Sequence, residues 1–258
     1  DVYKRQAQAA AYETLAEKLQ SDAPGVALLY GVTGSGKTAV YLQLIARCLE
    51  LGKTALLLVP EIALTPQLLS LLAAHFGREV AVLHSSLPPG ERYDQWKRIR
   101  AGEARVAVGT RSAVFAPCRN LGMIILDEEQ EHSYQSGNTP RYGAREVAIF
   151  RGAREKALVL LGSATPSVET MYRAKTGIYT LCSLPDRFNG RALPQVGVVD
   201  MKEEIRAGND SVLSRPLVEA MEQTMARGEQ TILFLNRRGA SRMLQCVQCG
   251  QVPECPRC

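Results

Sequence analysis

Gly31-Val32-Thr33-Gly34-Ser35-Gly36-Lys37-Thr38 decides the fold of this chain, because these eight residues have the spacing of a phosphate-binding loop. They follow the apolar run 26–30 and precede a segment of helical periodicity at 37–51. Glycines let backbone N–H groups curl around phosphates, the lysine supplies a positive charge, and the threonine hydroxyl can ligate Mg²⁺. The loop predicts that the chain binds ATP or another nucleoside triphosphate with Mg²⁺, through Gly31, Thr33, Gly34, Ser35, Gly36, Lys37 and Thr38.

Length and composition limit the classes of protein that carry such a loop. With 258 residues, of which 46% are apolar, the chain has enough material for one large or two modest domains. It contains neither an uninterrupted apolar run of about 18 residues nor an N-terminal secretory signal, so we expect a cytoplasmic protein without a membrane partner. A net charge of +5 permits a polyanionic partner without requiring one.

Short apolar runs alternate with segments of helical periodicity. This alternation predicts an α/β P-loop NTPase fold, in which a mostly parallel sheet carries helices on both faces. Predicted strands lie near 26–30, 54–59, 79–83, 105–109, 122–126 and 157–161, and predicted helices near 7–20, 37–51, 65–75, 89–101, 141–151 and 167–176.

A loop-like stretch at 184–194 interrupts this alternation and indicates a domain boundary. Beyond it, a helix is predicted near 214–227 and a strand at 231–235. The first six residues fit no element well, and we interpret them as a non-native remnant. The predicted layout is therefore a remnant at 1–6, an ATP-binding lobe at 7–185, the start of a second lobe at 186–245 and a truncated Cys-rich zinc-binding segment at 246–258.

A pair of acidic residues, Asp127 and Glu128, carries the second half of the predicted chemistry. They follow the buried strand 122–126, at the sheet edge where open α/β folds bind ligands. There Asp127 can reach the Mg²⁺ beside Thr38, and Glu128 can orient the attacking water. Together with Lys37 they are the predicted catalytic residues. A solvated acidic turn is the alternative, and the intact phosphate-binding loop counts against it.

Several longer strings resemble a known family. The strings G-V-T-G-S-G-K-T (31–38), D-E-E-Q (127–130) and G-S-A-T-P-S (162–167), in this order, resemble superfamily 2 helicases of the DEAD/DEAH-like type. More narrowly, the chain resembles the primosomal replication-restart helicases. The strings that carry this second resemblance are L-L-L-V-P-E-I-A-L-T-P-Q (56–67), V-G-T-R-S-A-V-F-A-P (108–117), P-R-Y-G-A-R-E-V-A (140–148), V-V-D-M (198–201) and F-L-N-R-R-G (234–239).

The resemblance implies RecA-like lobes and a 3′ to 5′ DNA helicase that uses ATP to move on single-stranded DNA during replication restart. Its implied partners are single-stranded and forked DNA, primosome proteins and single-strand-binding proteins. It also implies that later motifs are missing, so that the chain is a fragment with poor activity alone.

Some residue roles come from the same resemblance. Ser163 and Thr165 are implied to couple hydrolysis to lobe movement, and Gln8 matches an adenine-side glutamine. The family's D-E-E-H reads D-E-E-Q here, and we expect Gln130 to hydrogen-bond Ser163 or a water beside the phosphates.

DNA contacts are expected from loops at the same sheet edge. Thr65 and Arg111 offer a hydroxyl and a guanidinium to phosphates, although Arg111 also suits a surface ion pair. The stretch 132–142, with Tyr134 and Tyr142, resembles the aromatic-rich loop with which such helicases sense single strands, because bases stack on aromatic rings without sequence preference. An ordinary loop anchored by packed tyrosines is the alternative.

Three other functions fit less of the sequence. Another superfamily 2 DNA translocase shares the motifs, whereas a P-loop kinase does not explain the Gly-Ser-Ala-Thr-Pro string or the Cys-rich tail. A nonenzymatic zinc-ribbon module is opposed by the intact Lys37 and Glu128. Stimulation of ATP turnover by single-stranded or forked DNA distinguishes a DNA motor from the last two.

The last thirteen residues contain the pairs Cys246/Cys249 and Cys255/Cys258, each with the C-x₂-C spacing of zinc ligands. One site with all four thiolates is the simplest reading, but residues 250–254 are a short spacer compared with the usual stretch of about 15–20 residues. The resemblance instead implies two interleaved sites, with each pair in a different site and its partners beyond residue 258. We predict that metal analysis of a protein extending past residue 258 finds two zinc ions per chain. One zinc held by all four thiols would indicate the simple site.

Overall fold

The computed structural model describes residues 2–187 and 194–234, with side chains from residue 6 onward. The chain divides into two compact units, Asp1–Ala192 and Leu193–Cys258.

A parallel sheet forms the centre of the first unit. Its strands are β1 (Val26–Gly31), β2 (Thr54–Leu58), β3 (Val80–Leu83), β4 (Val106–Gly109), β5 (Leu121–Asp127), β6 (Leu158–Ser163) and β7 (Thr180–Leu184). Their order is β3-β4-β2-β5-β6-β1-β7, and every neighbouring pair is parallel. The central strands are almost continuously apolar because both of their faces are covered.

Helices cover both faces of this sheet. They are α1 (Val2–Gln20), α2 (Lys37–Glu50), α3 (Pro66–Phe76), α4 (Pro89–Ala101), α5 (Ala144–Glu155) and α6 (Val168–Lys175). One buried cluster joins the sheet to α1, α2 and α3, and a second joins its other face to α4, α5 and α6. The predicted α/β P-loop fold is therefore confirmed.

Three local predictions differ from the structure. The strand β7 was missed because it is a short edge strand with only two buried side chains, Cys182 and Leu184. Residues 2–6 belong to α1, so the expectation that they fit no element is wrong, and their non-native origin stays a prediction. Residues 231–234 form no strand, because no other strand in the described ranges pairs with them.

The described part of the second unit contains α7 (Met201–Arg206) and α8 (Arg215–Ala226). Glu204 joins them, since its Oε2 accepts hydrogen bonds from the Arg215 backbone N at 2.8 Å and from Asn209 Nδ2 at 2.7 Å. These hydrogen bonds, the backbone one first, lower the pKa of Glu204 to about 2. The assignment of this unit to the start of a second lobe stays a prediction.

Substitution of Gly109 tests how closely β3 and β4 approach each other. A Cβ at this position would overlap the Leu83 carbonyl oxygen and lie 2.6 Å from the Ala113 side chain, whereas a Cβ on Gly90 of α4 meets nothing within 4 Å. We expect Gly109→Ala to destabilise the fold by about 1–3 kcal/mol. The control Gly90→Ala should be neutral or stabilise by about 0.4–1 kcal/mol. Urea denaturation measures both, and equal stabilities would contradict the packing described.

Candidate nucleotide-binding and hydrolysis site

The phosphate-binding loop connects β1 to α2. Gly34 and Gly36 have φ of 79° and 87°, in the left-handed region that favours glycine. Lys37 is the first residue of α2 and is buried. Its Nζ donates a hydrogen bond to the Gly31 carbonyl oxygen at 2.9 Å and lies 4.0 Å from Glu128 Oε1. The lysine ammonium is thereby positioned between the loop and the end of β5.

Two features of the loop fit a polyphosphate. The Ser35 hydroxyl is buried and has no hydrogen-bond partner among the described residues, so it can interact with a ligand. A Cβ on Gly31 would lie 2.5 Å from that hydroxyl, and a Cβ on Gly36 would overlap the Gln8 amide, so these two positions have no room for a side chain. Gln8 Nε2 donates to the Ser35 carbonyl at 2.9 Å and links α1 to the loop.

Asp127 is the last residue of β5, and its carboxylate accepts a hydrogen bond from a side chain of α2. Tyr41 Oη donates a hydrogen bond to Asp127 Oδ1 at 2.9 Å. Burial raises the pKa of the Asp127 carboxyl above its usual value, and the hydrogen bond from Tyr41 lowers it in part. A Cβ on Gly162 would overlap Tyr41 Oη, so this glycine leaves the space that the tyrosine needs. Thr38 and Asp127 border the same small cavity of about 20 Å³, whose other lining residues are apolar except for Tyr41, and their role as Mg²⁺ ligands stays a prediction.

A chain of hydrogen bonds links Glu128 to the turn after β6. Gln130 Nε2 donates to Glu128 Oε2 at 2.9 Å, and Gln130 Oε1 accepts from Ser163 Oγ at 2.6 Å. Ser163 Oγ in turn accepts from the Thr165 backbone N at 2.9 Å. The expected contact between Gln130 and Ser163 is therefore present. The coupling role of these residues stays a prediction.

Glu129 and Arg145 are structural residues that the sequence analysis missed. The Glu129 carboxylate is buried and accepts hydrogen bonds from the Ser167 backbone N at 2.7 Å, from Thr170 Oγ1 at 3.1 Å and from Arg145 Nη1 at 2.9 Å. A buried carboxylate requires such partners. These bonds fix the beginning of α6 and the end of β5 relative to each other. The sequence did contain a signal for this pair. An acidic residue lies shortly after a buried strand, and an arginine lies in the 140–148 string.

Thr65 and Arg111 are two of the four predicted DNA contacts, and each makes hydrogen bonds within the protein. Thr65 caps α3, because its Oγ1 accepts a hydrogen bond from the Leu68 backbone N at 3.3 Å. Arg111 Nη1 donates to the carbonyl oxygens of Ser133 and Gln135, at 3.1 Å and 2.7 Å. Arg111 thus anchors the stretch 132–142, and contact of either residue with DNA stays a prediction.

Tyr134 is a predicted DNA contact that the structure contradicts. Its side chain is 2% exposed, and its Oη donates to the Asp127 carbonyl oxygen at 2.7 Å. A ring buried in the core has no face free for a base, so the alternative of a packed loop tyrosine is correct here. Tyr142 is only partly buried and packs edge-on against Phe115, with ring centroids 5.0 Å apart. It remains a candidate for contact with DNA.

Two further features are the predicted zinc ligands and the absence of a predicted membrane span. Residues 2–187 and 194–234 contain no group of three or more side chains suited to a metal ion. The predicted zinc ligands Cys246, Cys249, Cys255 and Cys258 lie outside these described ranges. No helix in the described part of the chain is long and apolar enough to cross a membrane.

Comparison with known families matches this geometry. Residues 5–174 match the family model of the DEAD/DEAH box helicases. The chain belongs to the DEAD/DEAH box helicase family. Membership implies the use of ATP and Mg²⁺, in keeping with the phosphate-binding loop described above.

Within this helicase family, the chain is similar to proteins named replication restart protein PriA. It is 53% identical to the one from Bacillus subtilis (strain 168) over 251 residues, which are 97% of this chain and 31% of that protein. It is 49% identical to the one from Synechocystis over 236 residues, which are 90% of this chain and 28% of that protein. These similarities confirm the expected resemblance. The chain spans about a third of the length of these relatives.

Solved helicase structures share the fold. RecG bound to a three-way DNA junction superposes with a TM-score of 0.60 at 24% identity, covering 86% of this chain and 28% of that one. The Pyrococcus furiosus Hef helicase domain superposes with a TM-score of 0.51 at 18% identity, covering 89% of this chain and 53% of that one.

Tyr41→Phe tests the support of Asp127, because it keeps the ring and removes only the hydroxyl. Hydrogen bonds to charged groups contribute about 1.5–3 kcal/mol. We therefore expect the Mg²⁺ concentration needed for half-maximal binding of a fluorescent ATP analogue to rise by roughly tenfold or more. The exposed Tyr172→Phe on α6 is the matched control and should leave Mg²⁺ dependence unchanged. Identical Mg²⁺ titrations for Tyr41→Phe and the unmodified chain would contradict the role of Tyr41.

Proposed function

We propose that this chain is the ATP-hydrolysing part of a 3′ to 5′ DNA helicase that acts in replication restart. One observation carries the proposal: an unbroken series of contacts runs from Lys37 in the phosphate-binding loop, through Glu128 and Gln130, to Ser163 after β6. Such a series suits a motor, because it joins the site of hydrolysis to a turn that can move. The similar proteins named for replication restart support the biological process.

The site residues divide the work of phosphoryl transfer. Lys37 offsets the charge that develops on the γ-phosphate, and Thr38 and Asp127 hold Mg²⁺, which supplies further charge neutralisation. Glu128 orients the attacking water and accepts its proton. The hydrogen bond from Gln130 Nε2 holds Glu128 Oε2 at 2.9 Å and leaves Oε1, which lies 4.0 Å from Lys37 Nζ, on the side of the phosphates.

In this proposal, the same contacts couple ATP hydrolysis to movement of the turn after β6. When Glu128 changes its position during hydrolysis, Gln130 transmits the change to Ser163, and Thr165 responds through its backbone N–H. The buried Glu129 fixes the beginning of α6, so the turn between Ser163 and Ser167 moves between two anchored ends.

DNA binds at the edge where the strands end, through Thr65, Arg111 and Tyr142 in this proposal. Phosphate contacts fix register without reading sequence. The partners are single-stranded and forked DNA, primosome proteins and single-strand-binding proteins, in the cytoplasm. The proposed layout keeps lobe 1 at 7–185, the start of lobe 2 at 186–245 and the zinc-binding segment at 246–258, whose cysteines serve two zinc ions in the whole protein.

Glu128→Gln in the whole protein tests the proposal. The amide cannot accept the proton of the attacking water, so we expect normal binding of ATP with Mg²⁺ and turnover slower by at least about 10²-fold. Glu131→Gln, a neighbouring acid to which no catalytic role is assigned, is the control and should retain turnover. ATP hydrolysis is measured with and without single-stranded and forked DNA. Normal ATP hydrolysis by Glu128→Gln would refute the catalytic role of Glu128. If DNA does not change the rate of ATP hydrolysis by the unmodified protein, the protein is not a DNA motor.

A further inference from the structure

A second cleft, distinct from the nucleotide site, lies between α4 and the 3₁₀ turn Arg111–Phe115 that follows β4. Its volume is about 520 Å³, within the range of small-ligand pockets. None of the residues assigned to ATP, Mg²⁺ or coupling lines it. His84, directly after β3, and Ser112, just after β4, both line the cleft. The cleft therefore opens at the same sheet edge as the phosphate-binding loop.

The walls of this cleft are aromatic and accessible. Tyr93 and Phe115 are 59% and 56% exposed, although both are large apolar side chains. Tyr93 and Trp96 are stacked, with ring centroids 6.4 Å apart and an interplanar angle of 12°. Aromatic rings fixed in this way offer flat surfaces at little cost in side-chain entropy. The cleft thus suits a planar ring as its ligand.

The lining of the cleft carries positive charge. Arg92 lines it, and the lining contains no acidic residue. Lys97 Nζ lies 4.7 Å from the centroid of the Tyr93 ring, and the Arg100 guanidinium lies 5.2 Å from that of Trp96. Glu91 and Asp94 on the same helix are acidic, and Asp94 pairs with Lys97 at 2.8 Å. A ligand with a flat ring and an adjoining negative charge fits this combination.

We propose that this cleft binds a base and the adjoining phosphate of single-stranded DNA, as an additional strand-binding site that rests on the proposed motor function. Position favours DNA over an acidic peptide. Phe115 contacts Tyr142, in the stretch that Arg111 anchors and that Tyr134 ties to Asp127. A base stacked on Phe115 would therefore contact the segment that is bonded to the catalytic strand. Stacking without sequence preference is also what a translocating protein needs.

Trp96 supplies a direct probe, because the chain contains 1 tryptophan. An oligo-dT strand is titrated into the chain, and Trp96 fluorescence is followed together with the anisotropy of a fluorescent label on the strand. We expect Trp96 fluorescence to be quenched with the same half-saturation as the anisotropy change. Stacking of a base on an aromatic side chain is sensitive to alanine substitution, so Tyr93→Ala and Phe115→Ala should each weaken strand binding by roughly 5- to 100-fold.

Tyr172→Ala is the matched control, because Tyr172 is 65% exposed on α6, which packs near β1 and β7 at the opposite end of the sheet. This variant should bind the strand normally. If the labelled strand binds while Trp96 fluorescence and both cleft variants are unchanged, the cleft proposal is wrong and DNA binding elsewhere stands. If no strand binds at all, the cleft proposal is wrong, whereas the proposed motor function is judged separately by the effect of DNA on ATP hydrolysis in the whole protein. If an acidic peptide ending in an aromatic residue quenches Trp96 and oligo-dT does not, the cleft binds protein instead.

Discussion

The position of Asp127 is the constraint on which the site depends. Its carboxylate accepts from Tyr41 on α2, and its carbonyl oxygen accepts from Tyr134 in the stretch 132–142. Two buried hydroxyls thus join three segments, namely the helix after the phosphate-binding loop, the strand β5 and the loop beyond it. Because a poorly hydrated carboxylate is costly without partners, this arrangement favours one geometry of the Asp127 carboxylate.

The two acidic residues after Asp127 have different surroundings because the backbone turns sharply between them. Glu128 has a φ of 48°, in the left-handed region that is uncommon for a residue with a side chain. Its carboxylate lies near Lys37 and Gln130, whereas that of Glu129 is buried against Arg145 and Ser167. Local backbone strain at a functional site is consistent with a surrounding structure that holds it in place. One carboxylate is available for chemistry, and the other holds the scaffold together.

Sequence patterns were sufficient for the main elements of the first unit. Strands such as β5 and helices such as α4 lie within two residues of their predicted bounds, because long apolar runs and helical periodicity are strong local signals. The strand β7 was missed, since an exposed edge strand shows only half of the pattern. Tyr134 was predicted to contact DNA because the sequence of a polar loop does not show whether a tyrosine ring in it packs inward or faces solvent. In the structure the ring packs inward.

The sequence by itself determined the phosphate-binding loop, the acidic pair after β5 and the alternation that makes a parallel sheet. The residues that form these features are adjacent or regularly spaced in the sequence. Short motifs of this kind determine the local backbone geometry on which the chemistry depends. Only the tertiary structure decided that Tyr41 supports Asp127 across 86 positions, that Arg145 neutralises Glu129, and that α4 and the turn after β4 form an aromatic cleft. Those contacts join segments far apart in the chain, so they exist only once the sheet order has brought the segments together.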